Sequence, residues 1–322
     1  MGFSMKWCLY CLIVIFCDTL VGAQPNVPDL VVAADGSGNF TSLQEAVMTI
    51  RDYKPTRTTI YVKNGIYREK VVIPANKCDI TIIGQSADST ILTWNDHAKI
   101  NNMGTFKTYT LQILGSGIRL ENLTIENNAE QLGQAVSLHV EGDRCELVGC
   151  RLLGNQDTLF TGNGSSRQYY RDCYIEGTTD FIFGPATAWF ELCTIHSKRN
   201  SYITAASTPQ ENPYGYVFNR CRLTADAGVD KVYLGRPWRA YAYTLFMNCE
   251  MDGHIVAEGW DNWRNAENEK SARYAEYRNI GPGAHMAKRV SWSRQLGAKD
   301  VRAITLEKVM HRDSVWQPSY AH

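Results

Sequence analysis

Five cysteines recur with a common signature, each two residues ahead of an apolar residue: Cys150-Arg-Leu, Cys173-Tyr-Ile, Cys193-Thr-Ile, Cys221-Arg-Leu and Cys249-Glu-Met. Their spacings are 23, 20, 28 and 28 residues. Asn122-Leu123-Thr124-Ile125 resembles an earlier, cysteine-free copy. A period in this range, regular in its core and irregular in its length, is the mark of a solenoid whose strands stay in register while its loops vary. Few other folds satisfy it.

The repeating units predict strands. Leu120–Ile125, Glu146–Leu152, Tyr169–Ile175 and Ala188–Ile195 are short runs rich in β-branched, aromatic and leucine residues, punctuated by Gly142, Gly149, Gly154, Gly164, Gly177 and Gly184. No sustained 3.6-residue pattern separates them, which argues against βαβ units. The expected fold is therefore all-β, a right-handed parallel β-helix whose cysteines form an inward stack of small apolar side chains. Cys173 and Cys193, equivalent on successive coils, are the best candidates for a disulfide. A short N-terminal helix should cap the first coil. Thr41 and Ser42 are candidate caps, Gln44 and Glu45 offer a capping box, and Leu43, Ala46, Val47 and Ile50 share one face. A second short helix is expected over Ile304–Met310. The polar segment Asn262–Ala284 is expected to be a long flanking loop.

The N-terminus carries the pattern of a secretory signal: Lys6, an apolar run Trp7–Phe16, and the small residues Val21-Gly22-Ala23 before a cut after Ala23. The run is shorter than the ~20 residues a membrane span needs. Residues 24–322 are then one catalytic domain with no preceding pro-region, secreted and not membrane-bound. Cleavage would remove Cys8, Cys11 and Cys17 and leave seven cysteines, an odd number, so at least one thiol is unpaired within the chain. Asn39-Phe-Thr and Asn163-Gly-Ser fall in expected loops and are candidate glycosylation sites, whereas Asn122-Leu-Thr is expected to be inaccessible in a strand.

Lysine plus arginine equals aspartate plus glutamate, 33 each, which leaves no basic excess for nucleic acid. There is no H-E-x-x-H, no P-loop, and no nucleophile elbow, since Gly84-Gln85-Ser86-Ala87-Asp88 lacks the closing glycine. The histidines are scattered and none lies in a motif. What remains is carboxylate chemistry. Gln134, Asp157 and Asp180 follow one another at intervals of 23 residues. Coils of that length would stack the three, and rungs of a parallel ladder lie ~4.7–4.9 Å apart. Two carboxylates so close cannot ionise equally. If Arg236 reaches Asp180, that group stays charged as a nucleophile, and Asp157 holds a proton as general acid and then base. Gln134 and Gln156 bring neutral amide donors suited to an oxyanion. Trp238 and Trp260 could stack on sugar rings.

Five ordered motifs carry a resemblance to a known family: Gly65-Ile-Tyr-Arg-Glu69, Gln134-Ala-Val-Ser-Leu138, Gln156-Asp-Thr-Leu159, Asp180-Phe-Ile-Phe-Gly184 and Leu234-Gly-Arg-Pro-Trp238. Tyr202-Ile-Thr-Ala205 and Ala272-Arg-Tyr-Ala-Glu-Tyr277 add to it. From about Leu30 to Trp316 the chain resembles the pectin methylesterases, or pectinesterases. The resemblance implies a substrate, methylated homogalacturonan (pectin), and a reaction that releases methanol without metal or organic cofactor. It implies Asp180 as nucleophile, Asp157 as acid/base, Gln134 and Gln156 as the oxyanion pair, Arg236 as the nucleophile's partner, and Trp238 with Arg236 and Gln134 as substrate contacts. A monomer is expected. Ser137 stands where the family often has alanine, Asn155 where plant enzymes usually have an aromatic, and the loop 161–166 is slightly long. The competing expectations are another pectin-degrading enzyme on the same solenoid and a non-catalytic pectin-binding relative.

Overall fold

The computed structural model describes residues 1–2, 28–311 and 314–319. The expected signal segment falls almost entirely on residues 3–27 and lies outside them. Within the described residues the chain winds into a right-handed β-helix of three parallel sheets with eleven, seven and eight strands. In the middle of the solenoid, each sheet takes one strand from every coil.

Inward-pointing rows make the core. In the eleven-stranded sheet one row runs Ile60, Ile82, Leu120, Leu147, Tyr170, Phe190, Phe218, Phe246. Its aromatic members stack at 4.6, 4.4 and 4.3 Å between ring centroids. In the eight-stranded sheet the row runs Leu92, Ile125, Leu152, Ile175, Ile195, Leu223, Met251. Parallel register sets this like-on-like stacking, because equivalent residues of successive coils are direct neighbours.

The four runs expected as single strands each turn a corner instead. Cys145–Val148 and Arg151–Leu153, for instance, belong to different sheets. The corner residue is left-handed on coil after coil: Asn122 (φ 52), Gly149 (φ 60), Asp172 (φ 51), Leu192 (φ 55), Arg220 (φ 55), Asn248 (φ 56). Asn, Asp and Gly tolerate that conformation best, which explains the polar residue ahead of several cysteines. Asn122 is accordingly exposed at a corner rather than hidden in a strand. Asn39 and Asn163 are also exposed.

The cysteines do stack inward, but all seven described cysteines are free thiols, including Cys173 and Cys193. Four of the thiols donate to a carbonyl one coil away: Cys173 to Leu147, Cys193 to Tyr170, Cys221 to Phe190 and Cys249 to Phe218, at 3.4–3.5 Å. Ladder neighbours lie ~4.7–4.9 Å apart with parallel Cα–Cβ bonds, whereas a disulfide needs Cβ atoms ~3.5–4.5 Å apart and turned toward each other.

The first coil is capped by the helix Leu43–Thr49, which buries Leu43, Ala46 and Val47. Ser42 is the N-cap, its Oγ accepting from Glu45 N. The carboxylate that completes the cap comes from Glu69, which accepts from Ser42 Oγ and from the amides of Leu43 and Gln44. That gives the Gly65–Glu69 motif a structural purpose. A short helix at Leu306–Met310, capped by Thr305, lies within the expected C-terminal span. The segment 262–284 is not all loop. It contains the helix Asn268–Ser271 and the strand Arg273–Tyr277, which pairs with Tyr243–Met247. Charged residues disguise this strand: Glu276 continues the inward row after Phe246 and is neutralised there by buried Arg289, 2.7 Å away.

Candidate active site

The seven-stranded sheet carries the site on its outer face. Leu159 pairs with Ile182, and an aspartate sits two residues before each. Asp157 and Asp180 are therefore one rung apart at the same ladder position. Both are left-handed, with φ of 67° and 51°. Their amides donate to carbonyls of the next coil, Asp157 N to Thr179 O (3.1 Å) and Asp180 N to Tyr202 O (2.8 Å).

Gln134 does not continue that stack. It bridges to Gln156, so the two glutamines lie over one another beside the aspartates. The reason is a bulge at Ser137: the amides of Ser137 and Leu138 both donate to Thr158 O, at 2.9 and 3.2 Å, two residues facing one. The Ser137 hydroxyl is fully buried and also donates to Thr158 O. Asn155, in place of an aromatic, ties down a neighbouring segment through Nδ2 to Ala129 O.

Arg236 follows the strand Tyr233–Gly235, two coils beyond Asp180, and reaches back across Tyr202. It grips Asp180 in a bidentate pair, Nε to Oδ1 at 3.0 Å and Nη2 to Oδ2 at 2.7 Å. The two carboxyl groups thus differ. Burial pushes Asp180 above the ordinary carboxylate range, and the two bonds from Arg236 pull the other way. Asp157 is driven well above that range, first by burial and then by the charge of Asp180, with Arg236 acting only through space. Arg236 is held more firmly protonated than usual: burial opposes its charge, but the bond to Asp180 prevails.

These groups line one open cleft of about 360 Å³, together with Gln134, Gln156, Thr105, Phe106, Phe183, Ala205, Trp238 and Trp263. Its wall is aromatic: Phe106, Phe160, Phe183 and Trp238 follow one another at 4.9, 4.9 and 5.9 Å. His139 packs edge-on against Phe160 and bonds Glu141 at 2.8 Å, a supporting place rather than a lining one. Trp260 is not a sugar platform. It is 1% exposed and stacks on Tyr274 inside the coil. Trp263, three residues on, lines the cleft instead. The motif pattern also left Phe160 and Phe183 without a role, although they share the aspartates' 23-residue spacing. Among the described residues, no group of three or more His, Cys, Asp or Glu is placed to hold a metal ion.

Residues 29–313 match the Pectinesterase family. The chain belongs to that family. It is 44% identical to Pectinesterase 31 of Arabidopsis thaliana over 277 residues, 82% of this chain and 86% of that one. It is 38% identical to the peach (Prunus persica) pectinesterase/pectinesterase inhibitor PPE8B, covering 82% of this chain but only 53% of that longer protein. Its fold matches the carrot pectin methylesterase with a TM-score of 0.85 and 32% identity, covering 90% of this chain and 95% of the other. A pectin methylesterase solved in complex with a hexasaccharide matches with a TM-score of 0.79 and 28% identity, over 92% and 99% of the two chains. As a pectinesterase, the chain is a carboxylic ester hydrolase.

Proposed function

We propose that this pectinesterase hydrolyses the C6 methyl esters of methylated homogalacturonan through a covalent intermediate on Asp180. The observation that carries the reading is the asymmetry of the carboxylates: two aspartates one rung apart, only one of them gripped by an arginine. The gripped one is the nucleophile. The other is buried, retains a proton, and is the acid.

Asp180 attacks the ester carbonyl, and its oxygen forms the new bond as the carbonyl becomes a tetrahedral oxyanion. The amides of Gln134 and Gln156, stacked beside the aspartates, donate to that oxyanion without placing a charge in the resting site. As the intermediate collapses, the bond to methoxide breaks and Asp157 gives it a proton, releasing methanol. Asp157, now a carboxylate, takes a proton from water. The hydroxide adds to the acyl-Asp180 anhydride, and collapse frees the galacturonate carboxylate, Asp180 and a reprotonated Asp157. The open aromatic cleft suits a polymer entering from its side, and Trp238 offers a face for a sugar ring.

All cleft residues come from one chain, which supports action as a monomer. Removal of residues 1–23 by signal cleavage and secretion complete the proposal, resting on the sequence pattern and on a substrate outside the cell.

The test is methanol release from highly methylated pectin by residues 24–322 and by Asp180→Asn. Release by the first alone supports the assignment. A substituted protein working at the wild-type rate would remove Asp180 from the mechanism.

A further inference from the structure

Arg236 is held on its faces as well as its edge. Its guanidinium carbon lies 3.9 Å from the ring centre of Tyr202 and 3.7 Å from that of Trp263. Tyr202 belongs to the sheet, and its carbonyl also receives the amide of Asp180. Trp263 arrives from outside, on the loop after Trp260. That loop is fastened to the strand that leads into Arg236: Trp260 bridges Gly235, and Asp261 N donates to Gly235 O at 3.1 Å. Asp261 Oδ1 then accepts from Trp263 N at 2.7 Å, and Asn268 Nδ2 donates to Asn262 O at 3.0 Å. Trp263 and Arg264 are both left-handed, with φ of 59° and 55°. Bulky residues adopt that conformation only where surrounding contacts impose it, and such outliers cluster at working sites.

We propose that Trp263 is a positioning residue: by closing the second face of Arg236 it fixes the guanidinium plane, and so keeps Asp180 aimed and ionised. The inference rests on Asp180 being the nucleophile. Its chemistry is that of an arginine fork. A bidentate pair needs the guanidinium coplanar with the carboxylate, and a ring on each face removes rotation about the last bonds while excluding water from the pair. The other ionisable groups facing the pair are Asp157 on the preceding coil, Tyr202 on the following one and Asp261 on the loop. Trp263 also lines the cleft, so a sugar platform is the competing role, and the two roles differ in what they change. A platform acts on KM. A clamp on Arg236 acts on kcat and on the acid limb of its pH profile, because a loosened Arg236 lets Asp180 hold its proton to higher pH.

The experiment is methanol release against pH for the wild type, Trp263→Leu, Trp263→Phe, Arg236→Lys, the double variant Trp263→Leu/Arg236→Lys, and Asp180→Asn, with folding checked by circular dichroism. Trp263→Leu should lower kcat about tenfold, the scale of one desolvated cation–π contact, and move the acid limb upward with little change in KM. Trp263→Phe should restore most of both. Arg236→Lys already lacks the planar fork, so adding Trp263→Leu to it should have little further effect. A Trp263→Leu enzyme with raised KM but an unmoved kcat and acid limb would overturn the proposal, as would full additivity with Arg236→Lys. If the leucine variant does not fold, Trp263→Met takes its place in the same comparison, and a shift in KM alone overturns the proposal as before. An active Asp180→Asn would instead mean that the underlying assignment has failed.

Discussion

Replacing Arg236 with methionine keeps an unbranched chain between the rings of Tyr202 and Trp263 and removes the charged fork. The Asp180 side chain that loses its partner is 8% exposed and gives up bonds of 3.0 and 2.7 Å. Stranding one member of a buried ion pair costs about 3–5 kcal/mol if it stays charged. Asp180 escapes that cost by taking a proton, but a protonated carboxyl is no nucleophile. Each turnover must then begin from an ionised form that lies about 3–5 kcal/mol uphill, which lowers the rate about 10²–10⁴-fold. The loss carries a pH signature. Without Arg236, Asp180 ionises at higher pH, so the acid limb of kcat moves upward and the deficit narrows as pH rises, until Asp157 also loses its proton. Methanol release from highly methylated pectin across a pH series measures both effects. A loss below about fivefold, far short of the range for a broken buried pair, would refute the reasoning. So would a large loss of the same size at every pH, because ionisation of Asp180 would then not be what Arg236 controls.

Gln156→Ala should lower kcat about 10²–10³-fold, as expected for one oxyanion donor; a drop of only a few-fold would leave the amide a packing role. Asp157→Asn should abolish turnover yet raise Tm at neutral pH. The folded pKa of Asp157 is lifted above its unfolded value, so its ionisation opposes folding at high pH; the penalty fades as pH falls through the folded pKa and vanishes below the unfolded value of ~3.9. An Asp157→Asn protein melting at or below the wild type at neutral pH would contradict that burial. Phe218→Ala, which empties a place in the stack between Phe190 and Phe246, should reduce stability by about 3–5 kcal/mol in urea titrations while kcat at low temperature is kept. Denaturing residues 24–322 without reductant should expose seven reactive thiols from Cys78 to Cys249, and a count of five would restore the disulfide that the stack excludes.

The solenoid was legible because its demands repeat. Every coil needs a left-handed corner, then a small inward side chain, then an apolar residue, and Asp172-Cys173-Tyr174-Ile175 or Asn248-Cys249-Glu250-Met251 shows all three within four residues. The spacing of Asp157 and Asp180 was legible for the same reason. The place of Gln134 was not, since equal intervals in sequence mean equal heights in space only where no coil holds an extra residue, and the bulge at Ser137 adds one. Trp260 and Trp263 could not be told apart by residue type. The first is bridged to Gly235 and turned into the coil, while the second lies past the ladder in a left-handed turn that swings it into the cleft. The strand Arg273–Tyr277 was hidden because its inward Glu276 reads as a solvent-facing residue, and only Arg289, thirteen residues on, makes its burial tolerable.

The stacking that builds the fold also creates the chemistry. A parallel ladder puts equivalent side chains on adjacent rungs, which is favourable for Phe190 on Phe218 and unfavourable for Asp157 on Asp180. Two unit charges ~5 Å apart repel by about 3 kcal/mol at an effective dielectric constant of ~20. The ladder therefore forces one of the pair to keep a proton, and symmetry alone would leave the choice open. Arg236 decides it. Attached two coils beyond Asp180 and three beyond Asp157, it directs both edge donors at the nearer carboxylate and reaches the farther one only through space. The order along the solenoid axis, Asp157, then Asp180, then arginine, thereby puts the acid at one end and the nucleophile beside the cation. The two aspartates are chemically identical, so nothing in the residue type itself separates acid from nucleophile. The roles follow from position along the axis, and a cation placed on the Asp157 side of the pair would reverse them without changing either aspartate.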